Sequence, residues 1–242
     1  MDDPADNPAD DPARAELLQE FIQKTGATFS DLTLLDQALT HGSITNDRPE
    51  ITKHYESLEF LGDAGLELAT SEAIYRRIPS GTPGMLTQIR ARNVNKNALA
   101  RVARKLNIGR YIQLGKGEEL AGGRERDALL ADCVESVIGA LQIDSGFAAV
   151  EEFVRQHFEE IISEAVEAAE QLDYRSRLQN YCQAEKIELP KFRVVKEEGP
   201  DHAKIFEVEV LLRGEPCGTG RGSSKKDAEQ SAAREALERE GV

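Results

Sequence analysis

Glu59 and Asp63 stand four residues apart, Asp132 and Glu135 three apart, and both pairs lie inside two of the most apolar stretches of a 242-residue chain. Such spacings place side chains on one helical stripe. The first stretch, Tyr55-Glu56-Ser57-Leu58-Glu59-Phe60-Leu61-Gly62-Asp63-Ala64, adds Glu56 to its stripe. Like charges one turn apart repel by roughly 0.2–0.5 kcal/mol on an exposed helix, and partly burying a carboxylate costs more unless a cation or hydrogen bonds compensate. A hard divalent cation resolves that conflict. Magnesium takes oxygen ligands, keeps several waters and uses few protein carboxylates beside a substrate phosphate. For either pair alone, solvation or pairing with basic neighbours such as Arg90 and Arg92 accounts for the acids. Two pairs together, in Leu/Val/Ile-rich surroundings, favour a metal site.

Helices must carry these acids. From about residue 13 to residue 169 the pattern is helical, with no alternating stretch. Helices are expected over Ala15 to Lys24, stopping at Gly26, over Leu32 to Leu39 after the cap Asp31, and over His54 to Ile78, ended by Pro79 and Gly81. Further helices are expected over Met85 to Leu106, Asp127 to Ile143 and Ala148 to Ala168. Residues 1–12, rich in Asp, Pro and Ala, read as a disordered acidic tail. Residues 13–165 form an all-α domain, and 166–172 either extend its last helix or serve as a linker.

Past that point the periodicity changes. Asp173 to Glu185 reads as a helix with Asp173 as its cap, while Lys191 to Lys196 and Ile205 to Leu212 alternate as strands. Arg213-Gly214-Glu215-Pro216 makes a hairpin turn into a third strand, Pro216 to Gly220, and Ser223 or Ser224 caps a last helix. Residues 173–240 are thus a small α+β domain of order α-β-β-β-α.

The net charge is −14. Residues 1–172 hold 17 basic and 30 acidic side chains, residues 173–242 hold 13 and 14, so the acidity sits outside the small domain. From Ala73 to Gly117 there is no acid, yet Arg76, Arg77, Arg90, Arg92, Lys96, Arg101, Arg104, Lys105, Arg110 and Lys116 are basic. This is a candidate polyanion track, or a basic face that balances acidic neighbours. Cys133, Cys182 and Cys217 lack a CxxC pair, which argues against disulfides and zinc. No apolar run reaches membrane-spanning length and the start lacks a signal pattern, so a soluble, cytoplasmic protein with no membrane partner is expected.

Gly220-Arg221-Gly222-Ser223-Ser224-Lys225-Lys226 puts two lysines in the first turn of a helix, where the dipole disfavours cations unless an anion is also bound. Phosphate would supply it. Ser176, Gln179 and Gln183 form an uncharged polar stripe suited to 2'-hydroxyls and base edges, and Gly199-Pro200-Asp201-His202 is a loop able to enter a neighbouring groove. With Gly199-Pro200, His202, the Gly220-x-Gly222 turn, Ser224-Lys225-Lys226-x-Ala228-Glu229 and Ala232-Ala233, this segment resembles a double-stranded RNA-binding domain. Asn180 stands where bacterial relatives often carry Glu.

Leu58-Glu59-Phe60-Leu61-Gly62-Asp63-Ala64 is similar to the signature of the ribonuclease III family, bacterial type. Leu35-Asp36-Gln37-Ala38-Leu39-Thr40-His41-x-Ser43, Arg92-x-x-Asn95 and Asp132-x-x-Glu135 follow the family's order. The resemblance implies that Glu59, Asp63, Asp132 and Glu135 are catalytic magnesium ligands, with Mn2+ as a substitute and no small-molecule organic cofactor. It assigns RNA contacts to Ser176, Gln179, Gln183, His202, Ser224, Lys225 and Lys226, a homodimer-interface role to Glu56, and structural roles to His41 and Ser43. Pro83 stands where relatives often have an acid, and Gly65 where a branched residue is common. The implied activity is an endoribonuclease that hydrolyses double-stranded RNA to 5'-phosphate and 3'-hydroxyl ends with staggered cuts, in processing of ribosomal and other structured RNA precursors. The alternatives are a noncatalytic double-stranded RNA-binding protein that uses the helical domain for dimerisation, and a metal-dependent hydrolase of small phosphate esters.

Overall fold

A computed structural model describes residues 11–79, 81–200 and 204–242. The first ten residues of the expected tail, and His202, lie outside the described residues. The chain divides into two compact units between Val166 and Glu167.

Local chemistry sets the ends of the helices in the first unit. Helix α1, Pro12–Thr25, starts where the Asp11 side chain accepts from the amides of Ala13 and Arg14, and ends at Gly26 with φ of 67°. Asp31 caps α2, Leu32–Ala38. A short 3-10 turn at Gly42–Asn46 follows, then α3, Glu56–Arg77, the long helix that carries the first acidic stripe.

A single helix was expected over Met85 to Leu106, but two are present: α4, Pro83–Asn93, capped by Thr82, and α5, Lys96–Lys105. The reason is Asn95, whose side-chain oxygen accepts from the Ala98 amide at 3.0 Å and so begins a new helix instead of continuing the old one. After α6, Lys116–Leu120, and α7, Asp127–Ser145, the stretch expected as one helix from Ala148 is also divided. It forms α8, Phe147–His157, and α9, Glu159–Leu172, which meet at the fully buried Phe158. Packing of that ring overrides a sequence with no helix breaker. Helix α9 takes in residues 166–172.

Helix α7 is apolar nearly all round, as a central core helix must be, and α2, α3, α5 and α8 pack on it. Its crossing with α3 is backbone on backbone. A Cβ at Gly62 would stand 1.7 Å from the Glu135 carbonyl oxygen, and one at Gly139 would stand 2.0 Å from that of Leu58. Two glycines therefore set how closely the helices bearing the acidic pairs approach.

In the second unit, α10, Tyr174–Ala184, precedes strands β1, Lys191–Glu198, β2, Ile205–Leu212, and β3, Glu215–Gly222, and α11, Lys225–Glu240, closes the chain. The sheet is antiparallel in the order β1-β2-β3. Arg213 and Gly214 both have positive φ, 54° and 81°, at the tight β2–β3 hairpin, where right-handed strand twist favours such residues. Val208, Val210 and Leu212 face inward with Leu178, Cys182, Ala228, Ala232, Ala233, Ala236 and Leu237. The third strand, expected to end at Gly220, runs on through Gly222, which was expected in a turn, and α11 lies directly on that strand. A Cβ at Gly220 would meet the Ala232 amide at 2.2 Å.

Candidate metal centre and RNA-binding residues

Helices α3 and α7 bring Glu59, Asp132 and Glu135 together, with one carboxylate oxygen of each within 4.8 Å of the others. Asp63 does not join this group, although among charged neighbours it bears most on Glu135. Burial first, and then repulsion from Asp63, Glu59 and Asp132, pushes the Glu135 carboxyl up to about 7. Burial likewise raises Glu59, with Asp132 and Glu56 adding to it, and burial raises Asp132. Three partly buried acids, all with raised pKa values, bear a cost in burial and charge that a divalent cation would relieve, so the donor set fits magnesium. Glu56, the third acid of the first stripe, is exposed, with His54 Nδ1 at 3.9 Å.

Other side chains surround the acids. Tyr55 immediately precedes α3, is buried, and donates its phenol proton to Asp132 Oδ2 at 3.5 Å. Lys96, read from sequence only as one member of a basic run, is the cation that opposes the raised pKa values of Glu59, Asp132 and Glu135. Its signal was its place in the first turn of α5, where a lone cation is unfavourable. Glu118, paired with Arg126 at 2.7 Å, lies in the electrostatic surroundings of His41. Nothing in the local sequence pattern singled that pair out.

The basic stretch from residue 73 to 117 is largely consumed within the unit. Arg76 pairs with Glu72, Arg77 with Glu159, Arg101 with Glu164, Arg104 with Asp127, Lys105 with Glu160 and Arg110 with Glu20. It reads as a balanced face more than as a polyanion track. Among the described residues, Arg92, Lys96 and Lys116 form no such ion pair.

In the second unit, Ser176, Gln179 and Gln183 are exposed along α10, and the Ser176 hydroxyl donates to Asp173 at 2.7 Å. At the start of α11, Ser224 accepts from the Asp227 amide at 3.1 Å as the cap. Lys225 lies over the Phe206 ring at 5.5 Å and pairs with Glu197 at 3.1 Å, while Lys226 is exposed. Ser224, Lys225 and Lys226 are thus contiguous at one helix end. His202 lies outside the described residues.

Residues 31–162 match the family described as ribonuclease-III-like, and residues 174–240 match the double-stranded RNA binding motif. Ribonuclease 3 of Pseudothermotoga lettingae is 40% identical over 229 residues, spanning 93% of this chain and 96% of that protein. Ribonuclease 3 of Desulfotalea psychrophila is 43% identical over 91% of each chain. Among solved structures, a nuclease domain of ribonuclease III from Campylobacter jejuni, described with a region involved in dimer formation, matches at a TM-score of 0.56 and 33% identity. It covers 59% of this chain and 96% of that one. With a helical unit built around paired acids, a second unit of α-β-β-β-α order, and relatives matched along nearly their whole length, the chain belongs to the ribonuclease III family.

Proposed function

We propose that the protein is a magnesium-dependent endoribonuclease that cuts double-stranded RNA as a homodimer, leaving 5'-phosphate and 3'-hydroxyl ends with staggered cuts. The observation that carries this reading is the convergence of Glu59, Asp132 and Glu135 from two helices onto one point. Asp63, one turn along α3, completes the proposed ligand set and adds negative charge. Bound magnesium supplies an activated water and neutralises the charge that develops on the scissile phosphate. The protein's own part is to aim the carboxylates at one point, with Lys96 offsetting their charge and Tyr55 restraining Asp132.

Residues 173–240 would deliver the duplex by reading its shape, with Ser176, Gln179, Gln183 and His202 in grooves and Ser224, Lys225 and Lys226 on phosphate. Of the stretch 1–12 expected as a tail, Asp11 and Pro12 already form the start of α1, and 166–172, the end of α9, would serve as the linker. Two equivalent sites related by a twofold match the duplex's own pseudo-symmetry, and Glu56 would lie at the subunit contact. The region involved in dimer formation described for the Campylobacter jejuni nuclease domain supports a homodimer. Mn2+ would substitute for magnesium, and the substrates would be ribosomal and other structured RNA precursors in the cytoplasm. A noncatalytic RNA-binding role is disfavoured, because mutually repelling, half-buried carboxylates burden a fold that has no use for them.

The deciding experiment incubates a long RNA duplex with magnesium and the wild type, Glu135→Gln, or wild type with EDTA. Cutting by the wild type alone, with duplex binding retained by the variant, is expected. An intact duplex under the wild type refutes the enzymatic reading.

A further inference from the structure

We propose that Tyr55 and His41 form a positioning pair for Asp132: the Tyr55 phenol donates to Asp132 Oδ2, and His41, held as one tautomer by Ser43, buttresses the Tyr55 ring. The inference rests on the reading of Asp132 as a metal ligand.

Tyr55 is 7% exposed, and among the described residues the partner of its hydroxyl is Asp132 Oδ2 at 3.5 Å. An ionised carboxylate only accepts, so the phenol must be the donor. Burial, reinforced by the charge of Asp132, keeps the phenol pKa above its ordinary value and the proton in place. At 3.5 Å the bond is long, so it acts by orienting one carboxylate oxygen more than by strength.

The support behind Tyr55 is built from the segment before it. The Tyr55 amide donates to the Thr40 carbonyl at 3.0 Å, and the neighbouring His41 amide donates to that of Gln113 at 3.0 Å. These bonds set the His41 ring 5.5 Å from the Tyr55 ring, at an interplanar angle of 46°. The His41 ring is itself fixed. The Ser43 amide donates to Nδ1 at 3.1 Å, and because an amide can only donate, Nδ1 carries no proton and the neutral ring is protonated at Nε2. Ser43 Oγ lies 2.8 Å from the same nitrogen and accepts from the Gly115 amide at 2.9 Å. A Cβ at residue 115 would stand 2.3 Å from the Ser43 carbonyl oxygen, so glycine is what permits this approach. An unbroken chain of contacts thus runs from Gly115 through Ser43, His41 and Tyr55 to Asp132. Groups that orient a ligating carboxylate are worth about 10–100-fold in metal affinity.

The test uses the full-length protein without RNA. Mn2+ is titrated by calorimetry into the wild type, Tyr55→Phe, Ser43→Ala and Asp132→Asn, with melting in EDTA as a check on the fold. Tyr55→Phe is expected to weaken Mn2+ binding about 10-fold, and Ser43→Ala to weaken it in the same direction by a smaller factor. Duplex cleavage by both variants should recover as Mn2+ is raised, a rescue that a damaged fold would not show. Tyr55→Phe with wild-type Mn2+ affinity overturns the proposal, and wild-type affinity in Ser43→Ala removes the Ser43 hydroxyl from the support of the pair. If Asp132→Asn also binds Mn2+ like the wild type, the metal reading itself has failed, and this inference falls with it.

Discussion

Gly62 lies with its Cα against the carbonyl oxygen of Glu135, and a single methyl added there would stand 1.7 Å from that oxygen. The backbones of α3 and α7 touch at this point, one residue from Asp63 on one helix and at a candidate ligand on the other. Gly62→Ala must therefore push the helices apart. We expect a loss of about 3 kcal/mol, at the upper end for overpacking, measured by urea denaturation. Any folded fraction should also bind Mn2+ more weakly. A variant with wild-type stability and metal affinity would show that this contact does not set the spacing.

Stability should depend on pH through Glu135. Its folded pKa of about 7 lies above the ordinary 4.5, so the fold favours the protonated form. That contribution is present below pH 4.5 and is lost as pH rises through 7. In EDTA, Glu135→Gln should be more stable than the wild type at pH 8 by on the order of 1–2 kcal/mol, allowing for solvent screening. The gap should close toward pH 5. Parallel stability curves across that range would contradict the assignment.

Duplex affinity should reside in the second unit. Replacing both Lys225 and Lys226 by Ala would remove the two proposed phosphate contacts, and the slope of log affinity against log salt should become shallower by about 2. An unchanged slope in filter binding would move those contacts elsewhere.

The opposite result is expected for the paired face of α5. Arg101 and Lys105 are engaged by Glu164 and Glu160. Arg101→Ala and Lys105→Ala should leave duplex affinity within about twofold, since exposed ion pairs that are already satisfied contribute little. A tenfold loss would restore the polyanion-track reading of the stretch from residue 73 to 117.

These contrasts mark where the sequence is legible. The acidic stripes and the β2 alternation of Val208, Val210 and Leu212 follow from fixed local periods, and a sequence displays them directly. The crossing point of α3 and α7 does not, because it depends on Gly62 meeting a carbonyl far along the chain. For the same reason, spacing alone gave Asp63 and Glu59 equal standing, whereas the structure groups Glu59 with Asp132 and Glu135. Asn95 could equally have sat inside one long helix, and only the structure shows its side chain capping α5 instead. The partners of Arg77, Arg101 and Lys105 lie on α9, so their neutralisation is also a tertiary fact.

The raised carboxyl of Glu135 has one more consequence. A group half protonated near pH 7 must give up its proton to accept a cation, so metal uptake near neutrality is also acid release, about half a proton from this side chain at pH 7. Calorimetry of Mn2+ binding should then yield different heats in Tris and in phosphate, converging above pH 8. Equal heats in the two buffers at pH 7 would show that no such exchange occurs. Hydrogen ions and divalent cations thus compete for one seat, and acidification of the surroundings would act on this enzyme as a chelator does.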